Sequence, residues 1–181
     1  MINDIAEELR KLHELSGAEY SRQVERIALS GVFHQYKNEK DIYTPGELKN
    51  DDFQNQLVAA HKAVEFGYKV YILPTPKGSR TPDFILEKKN TYRAYDLKTV
   101  FGKSSISTNL LDSIGQCNRI LLNMQREYNT RLLLSDIKLY FDINPRAVEV
   151  MIFKGLKRIQ VNRFIFDHPS YYRLFKKMYE R

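Results

Sequence analysis

The chain has 181 residues, 43% of them hydrophobic and 28% charged, which suffices for one domain with a proper core and room for a small helical appendage. No apolar run is long enough to span a bilayer, no basic start leads into a leader-type apolar segment, and the single Cys117 excludes an internal disulfide or a cysteine-based zinc cluster. Lys and Arg number 29 against 22 Asp and Glu, a net charge of +7, which suits a polyanionic partner, nucleic acid being the commonest, though basic charge alone fits equally a protein that binds none.

In chain order, residues 3–15 set Ile5, Leu9, Leu12 and Leu15 at helical spacing, ended by Ser16-Gly17. Residues 18–29 set Tyr20, Val24, Ile27 and Ala28 on one face, so the two segments predict a helical hairpin. Residues 37–52, "KNEKDIYTPGELKNDD", are polar around a Pro-Gly turn and read as a loop. A boundary is expected near residue 45, dividing an N-terminal helical region (1–45) from the main domain (46–181). Acids at 51 and 52 open a helix with Phe53, Leu57, Ala60 and Val64 on one face, closed by Gly67. "YKVYILP" reads as a buried strand, "TPKGSR" as a turn, and "PDFILEKKNTYRAYDLKTV" as two strands joined at "KKN". "SISTNLLDSIGQCNRILLNMQ" joins a Ser-capped helix to the strand "RILLNM". "NTRLLLSDIKLYFDI" follows as a helix, "AVEVMIF" and "RIQVNR" as strands around a "KGL" turn, and "HPSYYRLFKKMYER" as a terminal helix with Pro169 in its first turn. The order after residue 45, α-β-β-β-α-β-α-β-β-α, predicts an α/β fold: a mixed central β-sheet flanked by helices, with an N-terminal helical hairpin.

Two acids and a lysine interrupt the hairpin strands. Asp83 opens one strand and Asp96 lies near the end of the next, where antiparallel pairing brings the ends together. The two-residue side-chain period puts Asp96 and Lys98 on one face and Tyr95, Leu97 and Thr99 on the other. Two carboxylates can hold a divalent ion, Mg²⁺ or Mn²⁺, in a partly hydrated shell; the scattered histidines offer no imidazole pair. Such an ion acidifies a bound water and neutralises charge growing on a phosphodiester, while the lysine ammonium orients that water or stabilises the transition state. Simple turn acids and solvated neighbours would give the same short pattern.

Pro82-Asp83 followed by Asp96-Leu97-Lys98 resembles the PD-(D/E)xK nuclease superfamily. More narrowly, "EFGYKVYILP", "TPKGSR", "TPDFIL", "YDLKTV", "KSSIS" and "IGQCNRILLNM", in that order, resemble the nuclease domain at the C-terminus of bacterial contact-dependent growth-inhibition toxins. The resemblance covers residues 53 to about 163 and implies a restriction-endonuclease-like core. It implies Asp83 and Asp96 as metal ligands and Lys98 as the catalytic lysine. It also implies a glutamate on the preceding helix, where this chain offers Gln54 and Gln56. Gln56 is the better match, uncharged, able to bind a metal through its oxygen or hold a metal-bound water. Gln116, expected on the following helix, would position water or phosphate. Ser104 and Ser105 would bind a phosphate with backbone N–H groups at a helix start, with Lys103 and Arg119 as further nucleic-acid contacts. RNA, transfer RNA included, is the favoured substrate, with DNA open. The resemblance further implies a bound immunity protein and action in the bacterial cytoplasm, as a free-standing protein or a domain delivered within a larger toxin. The rival reading is a catalytically degenerate nuclease-fold module that binds nucleic acid or a protein.

The C-terminal "RFIFDHPSYYRLFKKMYER" interleaves aromatics with Arg163, Arg173, Lys176, Lys177 and Arg181. It can grip phosphates and stack bases, or Tyr171, Leu174, Phe175 and Met178 can be core beneath a solvated basic face. His61 is a candidate general base or a surface histidine, and Cys117 is expected to be buried and inert.

Overall fold

The computed structural model describes residues 2–48, 50–76, 78–102 and 106–181, with the side chains of 2–4 and 167 left aside. The chain is α/β, with parallel and antiparallel strands flanked by helices, and the order of elements after residue 45 is the expected one. It divides into two compact units, Met1–Asp96 with Gly115–Cys117, and Leu97–Ile114 with Asn118–Arg181.

The first unit opens with α1 (Ile2–Lys11), a 3-10 turn (Leu12–Glu14) and α2 (Gly17–Ala28). Ile5, Leu9 and Leu12 join Tyr20, Val24, Ile27 and Ala28 in one buried stripe, the helical hairpin expected from their spacing. That stripe packs on Tyr71, Leu73, Ile85, Ala94 and Cys117. Next come β1 (His34–Gln35), β2 (Ile42–Thr44), α3 (Phe53–Glu65), β3 (Lys69–Ile72), β4 (Phe84–Lys88) and β5 (Thr91–Val100). Strand β2 runs parallel to β3 and antiparallel to β1, while β3, β4 and β5 form an antiparallel meander. Strand β2 corrects the expected loop over 37–52, and β1, just before that segment, was not expected. Two and three residues are too few to display a period, so Ile42, fully buried, gave no signal.

The β4–β5 turn has two residues, since Lys88 pairs with Thr91. Lys89 and Asn90 both have positive φ, +53° and +58°, the type I′ geometry that matches strand twist. Helix α3 ends at Gly67, whose φ of +80° is the left-handed conformation a helix C-terminus needs. Its buried stripe is Gln56, Ala59, Ala60 and Ala63, while Val58 is exposed. Small side chains let this helix lie close on its support, and they leave one polar residue, Gln56, in the buried row.

The second unit contains α4 (Ile106–Asp112), β6 (Arg119–Met124), α5 (Thr130–Ile143), β7 (Glu149–Lys154), β8 (Lys157–Asn162), a 3-10 turn (Arg163–Asp167) and α6 (Tyr171–Glu180). Strands β6 and β7 are parallel, with α5 as the crossover, and β7 and β8 form a hairpin. Asn129 caps α5, its side chain accepting from the N–H groups of Arg131 at 3.0 Å and Leu132 at 3.1 Å. The core joins Leu133, Ile137, Tyr140 and Phe141 of α5 to Ile120, Leu122, Val150, Ile152 and the α6 row Tyr171, Phe175 and Tyr179. Leu174, expected in that core, is 51% exposed. The buried row runs at four-residue intervals through the tyrosines, and Pro169 precedes the helix.

Candidate functional site

Asp83 is held through its backbone by two strands. Its carbonyl accepts from the Leu73 N–H at 2.8 Å, and its N–H donates to the Tyr95 carbonyl at 2.9 Å, beside Asp96. The approach to it is buried at Thr81 and Pro82, and proline confines Thr81 to extended backbone. Upstream, the N-terminal helices grip the same segment. Arg10 Nε donates to Ser79 Oγ at 2.9 Å, and His13 bonds the Arg80 carbonyl.

The Asp83 side chain is the end of a relay. The Thr75 N–H donates to Asn50 Oδ1 at 3.0 Å, Asn50 Nδ2 donates to Gln56 Oε1 at 2.8 Å, and Gln56 Nε2 donates to Asp83 Oδ1 at 3.0 Å. Asn50 Nδ2 also reaches the Leu73 carbonyl at 3.0 Å. A backbone N–H can only donate and a carboxylate can only accept, so both amides have one consistent orientation. Gln56 is 3% exposed, and the relay satisfies both ends of this buried amide.

Of the helix residues considered, Gln56 is thus the one brought to Asp83, while Asp52 and Gln54 are exposed. Its oxygen, expected to serve a metal or its water, faces Asn50 instead. Asn50 escaped the sequence reading because it stands in a polar stretch, with nothing in the spacing to link it to positions 56 and 75.

Asp96 is 1% exposed and Leu97 next to it is buried. Lys98 is half-buried two residues on along β5, and the pleat of the strand turns both charged side chains to one side. Gln116 is not on a helix: α4 stops at Asp112, and Gln116 lies in a turn after Gly115, whose φ is +85°. Its neighbour Cys117 is buried, its thiol donating to the Ala94 carbonyl at 3.1 Å and lying 3.3 Å from the Tyr20 hydroxyl. Arg119 begins β6 in register with Glu149 and donates from Nη1 to Asn118 Oδ1 at 3.2 Å. Lys103, Ser104 and Ser105 lie outside the described residues. His61 is exposed and pairs with Glu39 at 3.2 Å.

Among the described residues no three His, Cys, Asp or Glu side chains gather as a metal cluster. The donors offered by Asp83 and Asp96 are two carboxylates. Such hard oxygen ligands fit magnesium or manganese keeping several of its waters, and not a zinc cage of imidazole and thiolate.

No family model and no curated protein matches the chain. Among solved structures, it is similar to a CdiA-CT/CdiI toxin and immunity complex from Burkholderia pseudomallei, at 16% identity and a TM-score of 0.39, over 63% of this chain and 89% of that one. A likeness of that closeness establishes neither a common fold nor a common activity. No helix among the described residues is long and apolar enough to cross a membrane.

Proposed function

We propose that the chain is a metal-dependent nuclease that hydrolyses phosphodiester bonds, with Asp83 and Asp96 holding the ion and Lys98 as the catalytic lysine. The observation that carries this reading is the relay ending on Asp83, because a buried amide spent on fixing one carboxylate is costly to arrange for a turn acid. Gln56 sets the plane of that carboxylate by occupying Oδ1, and Asn50 sets Gln56. Both are positioning residues. A divalent ion, when bound, lowers the pKa of an attacking water and offsets the charge that grows on the phosphate. Lys98 supplies a fixed positive charge to the same transition state. Gln116 is proposed to position water or phosphate, and Ser104, Ser105, Lys103 and Arg119 to contact the nucleic acid.

RNA, and transfer RNA first, is the substrate to test, with DNA as the second. This preference, the toxin role in a bacterial cytoplasm and an immunity-protein partner all rest on the sequence resemblance of residues 53–163.

A binding module without catalysis is the second reading. What favours it is the neutral Gln56, whose oxygen is turned to Asn50, so that only two charges remain for an ion. One experiment separates the two. Mn²⁺ is titrated by calorimetry into wild type and Asp96→Ala, and labelled transfer RNA and DNA are followed for cleavage. The nuclease reading expects Mn²⁺ binding and cutting by wild type, with at least a hundredfold loss in Asp96→Ala and in Lys98→Ala. No metal binding, together with unchanged products from Asp96→Ala, would sink it.

A further inference from the structure

The second unit holds a cleft of about 410 Å³ lined by Arg131, Leu134, Ser135, Lys138, Phe166 and Tyr172. The four α5 residues stand at positions i, i+3, i+4 and i+7, so they form one stripe of that helix. Phe166 belongs to the 3-10 turn after β8. Its ring is braced edge-on by Phe141 at 5.6 Å and Tyr171 at 5.3 Å, which fixes it in place while it remains half-exposed. Tyr172 opens α6. Its hydroxyl accepts from Arg131 Nε at 3.1 Å, and the guanidinium lies 5.6 Å from the ring centre.

The lining therefore offers two aromatic rings, an aliphatic side chain, two hydroxyls and two cations, and no carboxylate. Of the nearby α5 acids, Asp136 accepts from the Tyr128 hydroxyl at 3.1 Å, and Asp142 pairs with the lining Lys138 itself at 2.8 Å, an exposed pair of the kind worth little, so that a phosphate competes with it for Lys138. A ligand matching this set needs a flat apolar face for Phe166, Tyr172 and Leu134, and an anionic group for Arg131 and Lys138. The volume is at the small end of ligand clefts, and a nucleotide unit has both features at that size. Each base presents a π-face to an aromatic side chain whatever its identity, and the phosphate that follows meets a cation. Arg131 is already tied to Tyr172, so little side-chain freedom is left to lose on binding.

We propose that this cleft binds one nucleotide unit of single-stranded nucleic acid, its base on Phe166 and Tyr172 and its phosphate at Arg131 and Lys138. An acidic peptide would satisfy the cations and leave the rings unfilled. The proposal stands whether or not Asp83 and Asp96 support hydrolysis, because binding is read with no divalent ion present.

The test uses the intact chain in EDTA and fluorescence anisotropy of a labelled single-stranded RNA of about eight nucleotides, within the range such sites cover. Tyr172→Ala and Phe166→Leu are expected to weaken binding between about fivefold and a hundredfold. Lys138→Gln should lower the slope of log affinity against log salt by about 0.7, one phosphate contact on a single strand. Phe166→Leu keeps apolar bulk against Phe141 and Tyr171, and circular dichroism confirms that each variant folds. A chain of the same phosphates without bases is expected to compete at least tenfold less well than the RNA. Equal competition by that abasic chain or by polyglutamate overturns the proposal, as does wild-type affinity in both folded aromatic variants.

Discussion

Gln56 sits where a charge would change the chemistry most. It donates to Asp83 and accepts from Asn50, and a glutamate there could keep the second bond but not the first. Gln56→Glu would set two carboxylates together, so without metal it should lower stability by about 1–3 kcal/mol at neutral pH. Mn²⁺ should then raise its melting temperature more than that of wild type, since a third acid now faces the ion. Equal Mn²⁺ shifts in both proteins would count against an ion at Asp83. The two acids could be picked out because proline-acid and acid-x-lysine patterns are local, and Gln56 because it stands where the resemblance implies a helix glutamate. Asn50 was not, because its meaning comes from Leu73 and Thr75, more than twenty positions away.

Among the elements, α3 carries the relay and its end is the weak point. Gly67 has φ +80°, and a methyl group there would come within 3.5 Å of Lys88 Nζ. Lys88 is itself engaged, donating to the Phe66 carbonyl at 2.6 Å and lying 4.9 Å from the centre of the Tyr68 ring. Gly67→Ala should therefore cost roughly 1–2 kcal/mol, chiefly from left-handed backbone, measured by urea unfolding. The longer helices and the hairpin were readable because each repeats its period several times. Strands β1 and β2 repeat nothing. The end of α4 was misplaced because "DSIGQ" keeps helix-compatible residues up to Gly115, so the turn that carries Gln116 was hidden. Leu174 was misassigned because a tyrosine-rich row, Tyr171 to Tyr179, could be read from either side of the helix.

For the whole molecule, the buried phenols make stability fall at alkaline pH. Burial pushes Tyr71 and Tyr171 up to about 12, and for Tyr71 the neighbouring Tyr92, Tyr43 and Glu87 add to it. Neutral phenol is the form the fold prefers. Stability from these groups is complete below about pH 10, the ordinary tyrosine value, and is lost as pH climbs through about 12. Tyr171→Phe should flatten that loss, read as the urea midpoint at intervals between about pH 9 and 12. The Tyr171 hydroxyl is buried with no hydrogen-bond partner among the described residues, so the same variant should be more stable at neutral pH by about 1 kcal/mol. A less stable variant at pH 7 would show that the hydroxyl is satisfied in solution.

Cys117 gives the molecule a built-in clock. It is the chain's one thiol, and it lies between Tyr20 of α2 and the Ala94 carbonyl of β5. A thiol reagent can reach it only when that packing parts. The labelling rate then counts how often the N-terminal helices lift from the strand that leads to Asp96. Those helices also hold Ser79 and Arg80 through Arg10 and His13, so the same clock times any release of the segment entering Asp83. Labelling should accelerate in Arg10→Ala if helix and segment move together, and keep its wild-type rate if they do not.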